Sequence, residues 1–223
     1  MTVRTIEQLE DTLTADLAWR RHELSFLNQA LETGSSDRKE VLQRAGVALL
    51  YAHWEGFIKA AGSTYLEYVS FQRLRYSELT PPFLSIAIRR ELRAASASDR
   101  IAAHIAVATF FTEQMQSQSA LPFKGVVRSG GNLSSSALRE IVDTLGLNYA
   151  EFATKEKLID EVLLKSRNTI AHGDFLGFDI ARFKQLNTDV LGMMETFREQ
   201  VSIAASTRAY RRPVEASAVA GDA

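Results

Sequence analysis

The chain has 223 residues, with 26 basic and 27 acidic side chains, a net charge of -1 and no cysteine. The missing cysteine excludes structural disulfides, thiolate zinc sites and cysteine nucleophiles. The balanced charge excludes a global pull on nucleic acid, so such a partner must be met by a local patch.

Hydrophobic residues make up 46% of the chain, enough for one substantial core or at most two small ones. Lysine supplies only seven of the 26 basic residues. Arginine suits bidentate phosphate contacts, although high-GC coding also favours it. No apolar run approaches the ~20 residues that cross a bilayer. The opening MTVRTIEQLE lacks the apolar centre of a signal peptide. The expectation is a cytoplasmic protein with no membrane partner.

Helical periodicity dominates from the start. Residues 5–32 put Ile6, Leu9, Leu13, Leu17, Leu24, Leu27 and Leu31 on one stripe. Thr5 caps the start with Gln8 three residues on, and Thr33-Gly34-Ser35-Ser36 marks the stop. A second helix is predicted over 38–69, capped by Asp37. One of its stripes is Leu42, Ala45, Leu49 and Gly56; another is Val47, Leu50, Trp54, Ile58, Ala61 and Tyr65. A helix apolar on two sides is usually surrounded, so this one is predicted to be the centre of a bundle. Gly46, Gly56 and Gly62 each cost about 1 kcal/mol inside a helix, which close helix contacts would offset.

A connector follows at 70–79, and Pro81-Pro82 open a helix over 81–94. Another helix is predicted over 98–118. The segment 120–133, ALPFKGVVRSGGNL, is the least regular in the interior, and Lys124 and Arg128 make it mildly basic. A loop of that length in a compact protein often has a role; plain connection is the alternative. Residues 134–145 read as a short helix closed by Gly146, and 155–171 as a helix capped by Thr154. After a turn at Gly173 to Gly177, a last helix carries Ile180, Phe183, Leu186, Val190, Met194, Phe197 and Val201. The expected fold class is all-α, a single helical bundle of about six to seven helices over residues 1–202, with a frayed or disordered tail at 203–223.

The run Ser166-Arg167-Asn168-Thr169-Ile170-Ala171-His172-Gly173 is where chemistry is concentrated. Asn168 and His172 are four residues apart and share a helix side. Arg167 and His172 are five apart, about 140° around an ideal helix, so spacing permits a joint site without demanding one. A histidine titrates near neutrality and serves as base or acid at an RNA 2′-hydroxyl. An arginine holds phosphate oxygens, and an asparagine donates to phosphate or orients the imidazole. The opposing reading is that a basic last turn followed by glycine simply ends a helix. Glu55 would orient Arg167 or His172, or else pair with Lys59 on the helix surface. His53, Trp54 and Tyr51 read as packed core residues. His22 and His104 show no ligand spacing, and the four histidines suggest no metal site.

This segment resembles the motif of the HEPN superfamily: arginine, four to six residues, histidine. Arg167, Asn168 and His172 fit its form. Tyr51-Ala52-His53-Trp54-Glu55-Gly56-Phe57-Ile58-Lys59 and the stretch from Asn132-Leu133 to Leu145-Gly146-Leu147 resemble a bacterial HEPN-like nuclease branch of the RiboL-PSP-HEPN, toxin or phage-defence type. The resemblance covers roughly residues 45–180. It implies an all-α bundle, metal-independent RNA cleavage with no cofactor, frequent homodimers with facing motif helices, and toxin or phage-defence roles with an antitoxin or defence-system partner.

The expected activity is therefore an endoribonuclease with Arg167, His172 and Asn168 as catalytic residues, Glu55 in support, and Lys124, Arg128 and Lys165 as candidate RNA contacts. Two alternatives stand beside it. One is a non-catalytic HEPN-type module that binds RNA or a nucleotide. The other is a structural or regulatory interaction protein in which Arg167 and His172 only cap a helix.

Overall fold

A computed structural model describes residues 2–33, 35–174, 177 and 180–213, leaving aside the side chains of Ser36 and Asp37. Among the described residues the only β-type pairings are two isolated bridges, Arg75 with Gln118 and Leu79 with Arg211. The architecture is all-α.

Helix α1 spans Ile6–Thr33. Its start is a reciprocal cap: Gln8 N–H donates to Thr5 Oγ1 at 3.2 Å, and Thr5 N–H donates to Gln8 Oε1 at 3.3 Å. Leu9, Leu13, Leu17, Leu24, Leu27 and Leu31 form the buried stripe that the periodicity predicted. Helix α2, Ser36–Ser70, begins earlier than expected, after Ser35, whose side chain makes no capping bond. The predicted Asp37 cap lies outside the described side chains, as does Gly34 of the stop signal.

Helix α2 is central. It packs against α1, against the last helix and against the helix carrying Arg167. Val47, Leu50, Trp54, Ile58, Ala61 and Tyr65 are fully buried. The second stripe is less enclosed: Leu42 and Leu49 are half-buried and Ala45 is exposed. The buried apolar side chains form one cluster running through all the long helices. Gly46 lets α2 approach its neighbours, since a Cβ there would sit 2.8 Å from Leu27 Cδ2 and 2.9 Å from Phe183 Cζ.

The predicted helix 81–94 divides at Ile88 into α3, Pro81–Ala87, and α4, Arg89–Ser96. The predicted helix 98–118 is shorter. Helix α5 covers Ile101–Thr109, and one π-helical turn covers Phe110–Gln114. Residues 115–119 instead bond to the connector: Tyr76 N–H to Ser117 O, Ser77 N–H to Met115 O and Ser119 N–H to Leu74 O. Those pairings use backbone groups that a continued helix would need. Helix α5 buries none of its residues, and Ile101 and Ile105 are exposed.

Helix α6, Ser135–Thr144, starts at Ser134, whose Oγ accepts from Ala137 N–H at 3.2 Å. It closes at Gly146 with φ +65°. The predicted helix 155–171 is preceded by a separate short helix and is itself interrupted by a π-helical stretch. Helix α7, Ala150–Ala153, ends at Thr154, which therefore closes one element instead of capping the next. A π-helical stretch covers Leu158–Leu164, and α8 covers Lys165–Ala171.

Helix α9 spans Ile180–Ser206. The chain does not fray at 203: Ala204, Ala205 and Tyr210 are buried. Thr80 N–H donates to Tyr210 O at 3.0 Å, Arg212 N–H donates to Glu78 O at 2.8 Å, and the Arg211 guanidinium pairs with Glu78 at 2.6 Å. The expected tail thus docks on the 76–80 connector through residue 213; its remainder, 214–223, lies outside the described residues.

Candidate functional site

Helix α8 is short and its end is well defined. Gly173 N–H donates to Ile170 O at 3.1 Å and Asp174 N–H donates to Thr169 O at 3.1 Å. Gly173 has φ +84°, the left-handed position that such a terminus requires. His172 is the cap residue of this motif and is exposed. The rest of the predicted turn lies, at 175, 176, 178 and 179, outside the described residues. The helix-ending reading of the glycine is correct as geometry, and it leaves the imidazole on the surface with no side-chain partner among the described residues.

Arg167 is held differently. One guanidinium nitrogen, Nη1, donates to Asn168 Oδ1 at 2.8 Å and to Asn132 Oδ1 at 3.0 Å. The guanidinium carbon lies 4.9 Å from the Tyr51 ring centroid, a cation–π contact. Both bonded acceptors are neutral amides, so the side chain is fixed without losing its charge to a carboxylate. Nε and Nη2 make no bond to the described residues, leaving that edge of the fork free for a planar oxyanion. Asn168 spends its carbonyl oxygen on Arg167 and retains its amide donors.

Tyr51 links this group to the rest. It is buried on α2, and its hydroxyl accepts from Leu133 N–H at 2.6 Å. Burial pushes its phenol up to about 12; the Glu55 carboxylate adds to that, while the Leu133 N–H and Arg167 pull the other way. Glu55 makes no contact with Arg167 or His172. Its Oε1 accepts from the Ser129 hydroxyl and lies 3.6 Å from Lys59 Nζ. The expected direct contact with Arg167 or His172 is not made; Glu55 instead meets the 120–133 loop at Ser129, and the Lys59 pair coexists with that bond.

The loop is fastened at its far end too. Asp160 on the π-helical stretch accepts from Ser135 N–H at 2.7 Å and from the Ser135 hydroxyl. A π-helical stretch directly before a motif helix is a feature often found at functional sites. Here it turns Asp160 onto the α6 start while α8 presents Arg167 to Asn132.

Sequence reasoning missed Asn132 as a partner of Arg167 and Ser129 as a partner of Glu55. The available signal was position: both flank Gly130-Gly131 in the irregular loop, just before the Ser134 cap. The three candidate RNA contacts are not gathered around Arg167. Lys165 is exposed at the start of α8 and shares a helix stripe with Asn168 and His172. Arg128 bends back so that Nε donates to Gly125 O at 2.5 Å. Lys124 Nζ lies 5.9 Å from the Phe123 ring. His53 is packed as expected, with Nε2 2.8 Å from Glu23 Oε2 and Arg20 Nη1 donating to its carbonyl at 3.2 Å. Among the described residues no three imidazole or carboxylate side chains converge as metal ligands would, and no helix is long and apolar enough to cross a membrane.

In comparison with known families, the model described as HEPN_MAE_28990-like HEPN fits residues 9–210. No curated protein and no solved structure matches the chain.

Proposed function

Since the chain belongs to the HEPN_MAE_28990-like HEPN family, we propose that it is a metal-independent endoribonuclease whose phosphate clamp is Arg167. The observation that carries this reading is the guanidinium held by two amide oxygens with its other edge free. That edge binds two non-bridging oxygens of the scissile phosphate and offsets charge growing on phosphorus. The His172 imidazole removes the 2′-hydroxyl proton, the 2′-oxygen attacks phosphorus as the bond to the 5′-oxygen breaks, and the imidazolium so formed gives its proton to the departing 5′-oxygen. The products are a 2′,3′-cyclic phosphate and a 5′-hydroxyl. Asn168 fixes the guanidinium and offers its amide N–H groups to the phosphate.

Arg167 and His172 make no contact within the chain. A homodimer with facing α8 helices would let the arginine of one protomer serve the histidine of its partner. A toxin or phage-defence role, with an antitoxin or defence-system partner in the cytoplasm, is the setting this activity fits.

The test is cleavage of mixed cellular RNA in excess EDTA with end-group mapping. Arg167→Ala and His172→Ala should each lower the rate by about a hundred- to ten-thousandfold. Mixing the two variants should restore part of the activity if the cleft is shared between protomers. Full activity in folded His172→Ala protein rejects the mechanism. The lack of an Arg167–His172 contact favours a second reading, a HEPN-type module that binds RNA without cutting it; RNA retained at full length with unchanged ends would select it.

A further inference from the structure

A groove of about 920 Å³ opens where α4 faces Phe71 and residues 119–123. It is aromatic within and cationic at its rim. The Phe71 and Phe123 rings are half-buried, 6.5 Å apart and tilted by 46°, with Tyr76 beside them. Arg89, Arg90 and Arg93 are exposed and have no carboxylate partner among the described residues, and the one acidic residue lining the groove is Glu91. Arg89 and Arg93 are a helical turn apart, so they line one face at about 6 Å spacing along the axis.

The groove is tied to Arg167 through the chain that lines it. Ile86 and Arg89 also line an adjoining cleft of about 190 Å³, which carries Arg128, Val126 and Val127 together with Glu140. From Arg128 the chain passes to Ser129, bonded to Glu55, and then to Asn132, bonded to Arg167. The non-helical segment that forms the groove is therefore the segment that positions the clamp.

We propose that this groove is the path by which single-stranded RNA reaches Arg167, an inference that rests on the RNA-directed reading of that site. Unpaired bases stack on the faces of Phe123 and Phe71 that the Lys124 and Arg4 cations leave open, while phosphates lie against Arg89, Arg90, Arg93 and Arg128. Stacking on side chains needs free base faces, which a duplex hides. A chain of net charge -1 thereby gains a local cationic track that its composition does not reveal. An acidic protein segment could match the arginines, but the paired aromatic rings, and a lining segment that also bonds the Arg167 clamp, favour the nucleic acid.

The experiment uses full-length His172→Ala protein, so that RNA stays intact, and fluorescence anisotropy with a labelled RNA of about 12 nucleotides, single-stranded or in a duplex. The single strand should bind at least about tenfold more tightly than the duplex. Adding Arg89→Ala and Arg93→Ala should weaken it about tenfold at ~0.1 M salt and reduce the salt slope by about 1.4, from two lost contacts of about 0.7 each. Adding Phe123→Ala should weaken binding about tenfold with the slope unchanged. Melting curves verify that each variant is folded, and the arginines are exposed, so their removal leaves the core intact. Unaltered single-strand affinity in the arginine variant overturns the proposal, as does equal affinity for duplex. Displacement of the RNA by poly-glutamate as effectively as by unlabelled RNA also overturns it and marks an acidic-protein site. The two readings fail separately. Wild-type protein that binds through the groove but cuts nothing removes the nuclease and keeps the groove; wild-type protein that cuts while the variants bind normally does the reverse.

Discussion

Asn132 shows how much one uncharged acceptor can decide. Its carbonyl oxygen holds Arg167 at 3.0 Å while leaving the positive charge intact. A bond to a charged donor is worth about 1.5–3 kcal/mol, so Asn132→Ala should cost about ten- to a hundredfold in cleavage rate. Asn132→Asp should keep the guanidinium in place but neutralise it, and RNA affinity should fall further than in Asn132→Ala; anisotropy on the two variants checks the order. His53 is a second residue whose environment sets its chemistry. Burial, then the Arg20 charge, lowers its pKa, while Glu23 and Asp16 push it up without prevailing. The native state therefore refuses a proton that the unfolded chain accepts below about pH 6.5. Stability is unaffected by this group above that pH and declines as pH falls below it. Denaturant titrations between pH 7 and 5 should show a shallower decline in His53→Gln than in the parent. The carboxylates held below their usual range, Glu7, Glu32, Glu78 and Asp189, act at lower pH, so the two windows separate.

At the scale of elements, two helical glycines make opposite predictions. Replacing glycine by alanine gains about 1 kcal/mol of helix propensity. At Gly192 a Cβ meets nothing within 4 Å, so Gly192→Ala should raise the melting temperature by about 2–4 °C. At Gly46 the new methyl meets Leu27 and Phe183 below 3 Å, and overpacking costs about 1–3 kcal/mol. The clash outweighs the propensity, and Gly46→Ala should melt lower than the parent; scanning calorimetry on the pair decides. Element existence was legible because α1, α2, α6 and α9 are long or well capped, with apolar positions at helical spacing. Element interruptions were not. The early end of α5 follows from backbone groups at 115–119 engaged by the distant connector, and the Asp160 side chain in the π-helical stretch at 158–164 is engaged by Ser135, contacts that periodicity does not register; the break at Ile88 has no such distant backbone partner among the described residues.

Across the whole molecule, the chain end shows the difference between local composition and tertiary contact. Residues 203–213 read as small and polar, yet Tyr210 is buried, packs edge-on to Tyr68 at 5.9 Å and to Phe83 at 6.3 Å, and joins α9 to the 76–80 connector. Truncating a large buried aromatic costs about 3–5 kcal/mol, so Tyr210→Ala should lower the melting temperature by about 6–20 °C. The sequence by itself determined the all-α class, the central place of α2 and the Arg167, Asn168 and His172 motif, because helical spacing and short-range capping are properties of neighbouring residues. Only the tertiary structure decided that Asn132 and Tyr51 hold Arg167, that Glu55 bonds Ser129 instead of Arg167, and that His172 stands apart from the guanidinium. Those relations join residues up to 116 positions apart in the chain, and they arise from the core packing that fixes α8 and the 120–133 loop against α2.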